Sequence, residues 1–395
     1  MRITEDTPIA TRAPNESLAL MLGGGGARGA YQAGVLRALA QRYPSLRLPI
    51  LTGISAGAVN TTFLAAQAAP LPEATEQLVR LWLSLTPDQV YNVRPIPLLG
   101  NVGRWGMRLV GGGMDRRREP TQGLLDTAPL RRFLERALPH DADGALPGIQ
   151  HNIRTGRLDA VALSATSYTT GQSVTWVQGR DVTLWQRPQR RSELASITVE
   201  HVMASSSLPM LFPAVRVGTE WYGDGGVRLT APLSPALHLG ATRILTIATR
   251  YSRSREEADR PLTEGYPPPA QVLSVLYNAI FLDLIDEDIM RLQRMNRLLD
   301  EVPPTEREGM RLVEILVLRP SHDLGKLASQ FEPKLPRAFR YLTRGLGTRR
   351  TTSPDILSLL MFQSDYLRAL IELGEDDVEA NRERIDAFLG TPAAL

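Results

Sequence analysis

The sequence predicts an α/β protein built on a parallel sheet, and three observations predict it. Short apolar runs at 17–22, 48–54 and 243–250 are bounded by glycine, proline or charged residues, as buried strands of a parallel sheet are. Between the first two, residues 30–43 carry apolar side chains at helical spacing (Val35, Leu36, Leu39). Strand, helix and strand then follow one another within about 40 residues, the length of a βαβ unit with a right-handed crossover.

Residues 1–16 are polar and contain proline, and read as a loose arm. After the first strand comes the glycine run 23–29, then the helix, which Pro44 ends. The second strand stops at Ser55, and 56–67 reads as a helix starting directly after it. Residues 73–85 predict another helix. The Gly-, Pro- and Arg-rich stretch 91–123 predicts a loop or cover, with Arg116, Arg117 and Arg118 as a solvated face. A helix is expected within 123–138, with Asp126 or Thr127 as its N-cap. Strands are expected at 158–168 and 173–178, and a helix at 198–208 stopped by Pro209. A hairpin at 215–226 leads into a turn, followed by a short helix at 233–241 and the strand 243–250. Residues 269–299 keep a 3.6-residue apolar period and predict one long amphipathic helix, either packed on the sheet or forming a wall that faces lipid. Residues 311–320 predict a further strand and 333–390 are mostly helical.

Composition narrows the chemistry. The 43% hydrophobic content supports a sizeable core. There is no cysteine, which excludes disulfides, thiolate catalysis and cysteine-ligated metals. The five histidines (His140, His151, His201, His238, His322) form no metal-ligand spacing, so no metal or cofactor is expected. A net charge of +3 is too weak to imply nucleic acid, although a mildly basic surface suits anionic lipid headgroups. The N-terminus lacks the pattern of a signal peptide, and no apolar run is long enough to span a bilayer. A cytoplasmic protein, or one peripheral at a membrane surface, is therefore expected.

The strongest local signal is Gly53-Ile54-Ser55-Ala56-Gly57, a G-x-S-x-G on a strand–turn–helix context. A serine on so sharp a turn exposes its hydroxyl as a nucleophile. The glycines two residues to either side admit neighbouring chain, and the helix N-terminus beneath favours developing negative charge. Gly24, Gly26 and Gly29 also satisfy G-x-G-x-x-G, but the second strand runs into the serine turn rather than to a ribose-binding acid. The loop suits an oxyanion hole better, its consecutive N–H groups converging on one spot. A serine needs a base. Asp224 sits on a glycine turn with Gly225 and Gly226, which otherwise reads as a plain hairpin turn. His238 fits a Ser-Asp-His chain order and His322 follows a strand, so both stand as alternative partners. Arg28 either adds positive potential to the loop or, as the favoured reading, pairs with an acid to hold it.

These three signals in this order resemble the patatin-like phospholipase family. Gly24, Gly25, Gly26, Arg28 and Gly29 match its G-G-G-x-R/K-G loop, Gly53 to Gly57 its serine turn, and Asp224-Gly225-Gly226 its D-G-[AG] motif. Residues 204–215 resemble the usual lead-in to its aspartate. The likeness covers roughly residues 17–250, and no family motif follows from about 260. It implies a three-layer α/β/α fold with a mostly parallel central sheet and a catalytic domain over 17–255, while residues 256–395, outside the likeness, read as a largely helical region with one further strand, packed on that domain. It implies that Ser55 is the nucleophile and Asp224 the proton acceptor, without histidine, and that the glycine loop is the oxyanion hole. The implied substrate is a lipid or phospholipid acyl ester, cleaved through an acyl-enzyme. Transfer of the acyl group to another acceptor, a nucleotide-binding role for the glycine loop, and a silent scaffold remain the alternatives. Oligomeric state is not legible.

Overall fold

A computed structural model describes residues 17–390, apart from 93–122, 282–283, 336, 346, 349–350 and 352. The N-terminal arm and nearly all of the 91–123 loop, including Arg116 to Arg118, lie outside the described residues.

Five parallel strands form the centre of one sheet, in the order β10 (Glu314–Leu318), β9 (Arg243–Ile247), β1 (Leu18–Leu22), β2 (Ile50–Ile54), β3 (Ala160–Ser167). Beyond β3 the sheet turns mixed. β4 (Ser173–Gly179) runs antiparallel to β3, and β6 (Arg190–Leu194) and the two-residue β5 (Gln186–Arg187) complete that edge. β7 (Val215–Val217) and β8 (Glu220–Asp224) form the hairpin expected at 215–226. The β5–β6 pair has no counterpart in the sequence reading. Its residues, QR and RRSEL, are polar except Leu194, and only Ser192 is buried, so no apolar alternation marks them.

Both faces of the central strands are buried, which makes the fold three-layered. Leu18, Leu20 and Leu22 of β1 pack with helices Gly29–Arg42, Ala56–Ala66, Leu71–Ser84 and Ser364–Ala380. The alternate residues Ala19 and Met21 face Leu233, Ala236, Ile285 and Ile289 on the opposite side. Of the run 269–299, the described residues form helices Pro269–Phe281 and Leu284–Asp300. The helix expected within 123–138 is Ala128–Ala137, with Thr127 as its N-cap, whereas the one expected at 198–208 is shorter, Val199–Ser205.

The residues after 256 join this architecture rather than hang from it. β10 adds to the parallel sheet beside β9. Helix 364–380 lies against helix 29–42 at backbone distance: a Cβ on Gly34 would meet the Ile371 carbonyl, and one on Gly374 the Tyr31 carbonyl. Buried Tyr31 donates to Asp377 at 2.9 Å, and Arg42 pairs with Asp386 at 2.6 Å.

Candidate active site

β2 ends one residue before Ser55, and helix 56–66 begins one residue after it. Ser55 sits at φ 57°, ψ −127°, a conformation that costs a non-glycine residue about 1–3 kcal/mol and persists only where surroundings enforce it. The flanking glycines are what allow the turn. A Cβ on Gly57 would strike the Leu22 carbonyl, and one on Gly53 would strike the backbone of Gly57.

Three consecutive serines knit the turn to its neighbours. The Ser55 N–H donates to Ser205 Oγ at 3.1 Å, and Ser205 donates on to the Ser164 carbonyl at 2.7 Å. Ser206 Oγ donates to the Ser55 carbonyl at 3.0 Å. The Asp224 N–H donates to the Ser207 carbonyl at 2.9 Å. The lead-in at 204–215 thus ties the Ser55 turn to the Asp224 strand. The signal for this in the sequence is the run of three serines at a helix end, whose contacts depend on tertiary pairing and leave no spacing to read.

Sheet register brings Asp224 to Ser55. On one edge of β3, Ile54 of β2 pairs with Ser164, and Asp224 of β8 pairs with Ala165, the next residue. The C-terminal ends of β2 and β8 therefore meet head to head along β3. Asp224 is fully buried and Ser55 is 2% exposed. Asp224 Oδ1 accepts from the Gly226 N–H at 3.0 Å, and Gly225–Val227 forms a 3₁₀ turn rather than a plain hairpin loop. Oδ2 has no hydrogen-bond partner among the described residues. Burial pushes the Asp224 carboxyl up from 3.8 to about 7, against the smaller lowering influence of the Ser55 hydroxyl and the Gly226 N–H. The Ser55 hydroxyl is thus near enough to act on the Asp224 carboxyl, although the two close no hydrogen bond of ordinary geometry.

No histidine is among the groups that act on Asp224. His238 stacks on Trp185 at 4.6 Å, and its pKa is lowered to about 4 by burial and by Arg187, Arg190 and Arg311. His322 Nδ1 lies 2.9 Å from Ser321 Oγ on an exposed turn. Buried His201 caps the start of its own helix through Thr198, and burial lowers it to about 4. Two tyrosines do sense the Asp224 charge. Tyr168 is pushed up to about 12 by burial and then by Asp224, and Tyr277 of helix 269–281 is raised by the same two causes.

The glycine loop lies across the Ser55 turn. A Cβ on Gly24 would stand 3.2 Å from the Ser55 Cβ. Gly25 and Gly26 have φ of 155° and 55°. Among the described residues nothing accepts a hydrogen bond from the N–H of Gly24, Gly25 or Gly26. The loop then winds through the 3₁₀ turn Gly26–Arg28 into helix 29–42, with Gln32 of that helix donating to the Gly23 carbonyl at 2.8 Å and Asn60 of helix 56–66 donating to the Gly29 carbonyl at 3.0 Å. The Arg28 side chain turns away from Ser55 into a buried set of acceptors on residues 355–358. A narrow apolar crevice of about 20 Å³ touches the site, lined by Gly24, Ile54, Gly226 and Leu229 with Ile280 and Ile285 from the C-terminal helices.

A family model described as Patatin-like phospholipase matches residues 20–237, more than half of the chain. No curated protein sequence matches it. Among solved structures, it is similar to VipD from Legionella pneumophila at 14% identity and a TM-score of 0.31, over 87% of this chain and 67% of that one. It is similar to human GIVD cytosolic phospholipase A2 at 11% identity and a TM-score of 0.43, over 95% and 60%. It is also similar to the type III effector protein ExoU of Pseudomonas aeruginosa at 13% identity and a TM-score of 0.30, over 95% and 62%. The chain thus spans between 60% and 67% of the length of these proteins.

Proposed function

The chain belongs to the patatin-like phospholipase family, and from that premise we propose that it is a serine acyl hydrolase using Ser55 as nucleophile and Asp224 as its only side-chain base. Family membership supports lipid ester hydrolysis as the general activity. The finer assignment rests on one observation: Ile54 and Asp224 occupy successive positions along β3, which sets the Ser55 turn against a buried carboxylate.

The chemistry follows from the environment of each group. An ordinary carboxylate is a weak base at neutral pH, whereas one raised to about 7 matches the proton it must take. As Ser55 Oγ attacks the ester carbonyl, its proton passes to Asp224 Oδ2. The carbonyl oxygen becomes an oxyanion held by the N–H groups of Gly25 and Gly26, with the first turn of helix 56–66 adding favourable potential. Collapse expels the alcohol, which takes the proton from Asp224, and leaves an acyl-Ser55 ester. Water then attacks that ester, giving its proton to Asp224, and the fatty acid leaves as Ser55 is reprotonated. Every step uses side chains and backbone of this chain alone.

A lipid substrate also fits the cover. Helix 269–281 turns Tyr277 toward the Asp224 turn, while Val272, Val275 and Leu276 stand about half exposed on its outer face. The same helix packs on the Gly225–Val227 turn and brings Ile280 to the crevice at the site, so we assign its exposed apolar face to the contact with a lipid surface. No helix among the described residues is long and apolar enough to cross a membrane.

The test is fatty acid release from phospholipid vesicles by wild type, Ser55→Ala and Asp224→Ala. Release by wild type alone is expected. Equal release by wild type and Ser55→Ala would refute the assignment.

A further inference from the structure

We propose that Asp355, far downstream of the family match, is a positioning residue that holds the glycine loop in its oxyanion-binding shape. This rests on the hydrolase reading above and extends it to a residue that no motif marks.

A loop of consecutive glycines has no side chains with which to fix itself, and glycine has more backbone freedom to lose than any other residue. An oxyanion hole nevertheless needs its donors fixed before the charge develops. The anchors must therefore come from elsewhere, and here most come from residues 355–359. Arg28 is the first large side chain after the glycines, it is 2% exposed, and its own N–H donates to the Gly25 carbonyl at 3.0 Å. Its guanidinium pairs with Asp355 Oδ1, its Nε donates to Ser358 Oγ at 2.7 Å, and Nη2 reaches the Asp355 carbonyl at 3.4 Å. Nη1 donates to the Thr249 carbonyl at 3.4 Å, and the Thr249 hydroxyl donates to the Gly24 carbonyl. The Leu359 carbonyl presses against Gly26, where a Cβ has no room.

Asp355 is also joined to the other side of the site. Its Oδ2 accepts from Asn278 Nδ2 at 2.7 Å, and Asn278 is one residue from Tyr277, which feels the Asp224 charge. One carboxylate thus fixes both the loop that receives the oxyanion and the helix that covers the base. The pair lines a cavity of about 210 Å³ that is walled by both elements. Charge balance explains why an acid is required there: a buried guanidinium without a counter-charge would pull toward water and take the loop with it.

The experiment compares Asp355→Asn, Asp355→Glu and Asp386→Asn with wild type on a soluble p-nitrophenyl ester, at a temperature where all remain folded by circular dichroism. Asp386→Asn is the matched control, because it removes another tie between the C-terminal helices and helix 29–42 far from the loop. In Asp355→Asn, kcat is expected to fall by about tenfold or more with KM within about twofold, as for lost transition-state contacts. Asp355→Glu is expected to recover part of that loss. Asp386→Asn is expected to lower the thermal midpoint and leave kcat unchanged. Should Asp355→Asn not fold, Ser358→Ala must lower kcat in the same sense, since it removes one Arg28 anchor and no charge. Unchanged kcat in the folded Asp355→Asn, or equal kcat losses in Asp355→Asn and Asp386→Asn, would overturn this inference alone. Wild-type turnover no greater than that of Ser55→Ala would overturn the hydrolase reading together with it.

Discussion

Asp224 is where sequence and environment part company. Its identity as an acid on a glycine turn is plain from the letters, but what it can do depends on burial that no local motif encodes. Burial raises its carboxyl from 3.8 to about 7. Because the ionised form is the base, kcat/KM on a soluble ester is expected to rise with pH and level off above about 7. A profile that stays flat down to pH 5 would contradict this. The linkage to stability has the opposite sense. A carboxyl raised in the folded state favours folding while protonated, and that contribution is lost as pH rises from about 4 through about 7. Asp224→Asn has no charge to bury, so its stability advantage over wild type should be small near pH 4. Above pH 7 it should grow to a few kcal/mol, as urea unfolding at the two pH values would read. Ser55 and its flanking glycines were fully legible because steric demands on a sharp turn act locally. Asp355 was not, since a buried counter-charge 327 positions from Arg28 leaves no spacing to read.

Strands and turns carry the next level. The G-x-S-x-G turn was readable because an apolar strand precedes it and a helix-forming run follows it, and both form as expected. The head-to-head meeting of β2 and β8 along β3 was not readable, because strand register is set by tertiary pairing. The stitch made by Ser205 to Ser207 belongs to this scale. Ser205→Ala leaves the Ser55 N–H buried without an acceptor, which is expected to cost about 1–3 kcal/mol and to lower kcat as the turn relaxes. Urea unfolding with parallel kinetics reads both, and loss of neither would show that the turn is held by other contacts. The helix 269–281 face makes a separate claim. Val275→Asp with Leu276→Asp is expected to reduce hydrolysis of vesicle phospholipid severalfold while sparing a soluble short-chain ester, because only the former needs the apolar face. Equal effects on both substrates would assign that face to folding instead.

At the scale of the whole molecule, the mostly parallel three-layer architecture follows from the βαβ pattern and its resemblance, and the residues after 256 are what the pattern left open. They supply β10, the helix packed through Gly34 and Gly374, and the anchors of Arg28. We therefore propose that they fold as one unit with the catalytic region, whatever boundary a motif search would draw. A chain ending at residue 255 is expected to be unfolded or inactive, since it exposes the apolar face of helix 29–42 and leaves Arg28 without its counter-charge. A stable, active truncation would argue for an independent catalytic domain. The central claim, that Ser55 is the nucleophile and needs Asp224 but no histidine, is most directly tested by peptide-resolved mass spectrometry after reaction with a fluorophosphonate. A single adduct on Ser55 is expected in wild type and at undiminished rate in His322→Ala and His238→Ala, with none in Ser55→Ala and strongly slowed labelling in Asp224→Asn. An adduct at another residue, wild-type labelling rates in Asp224→Asn, or labelling abolished by either histidine substitution would contradict it.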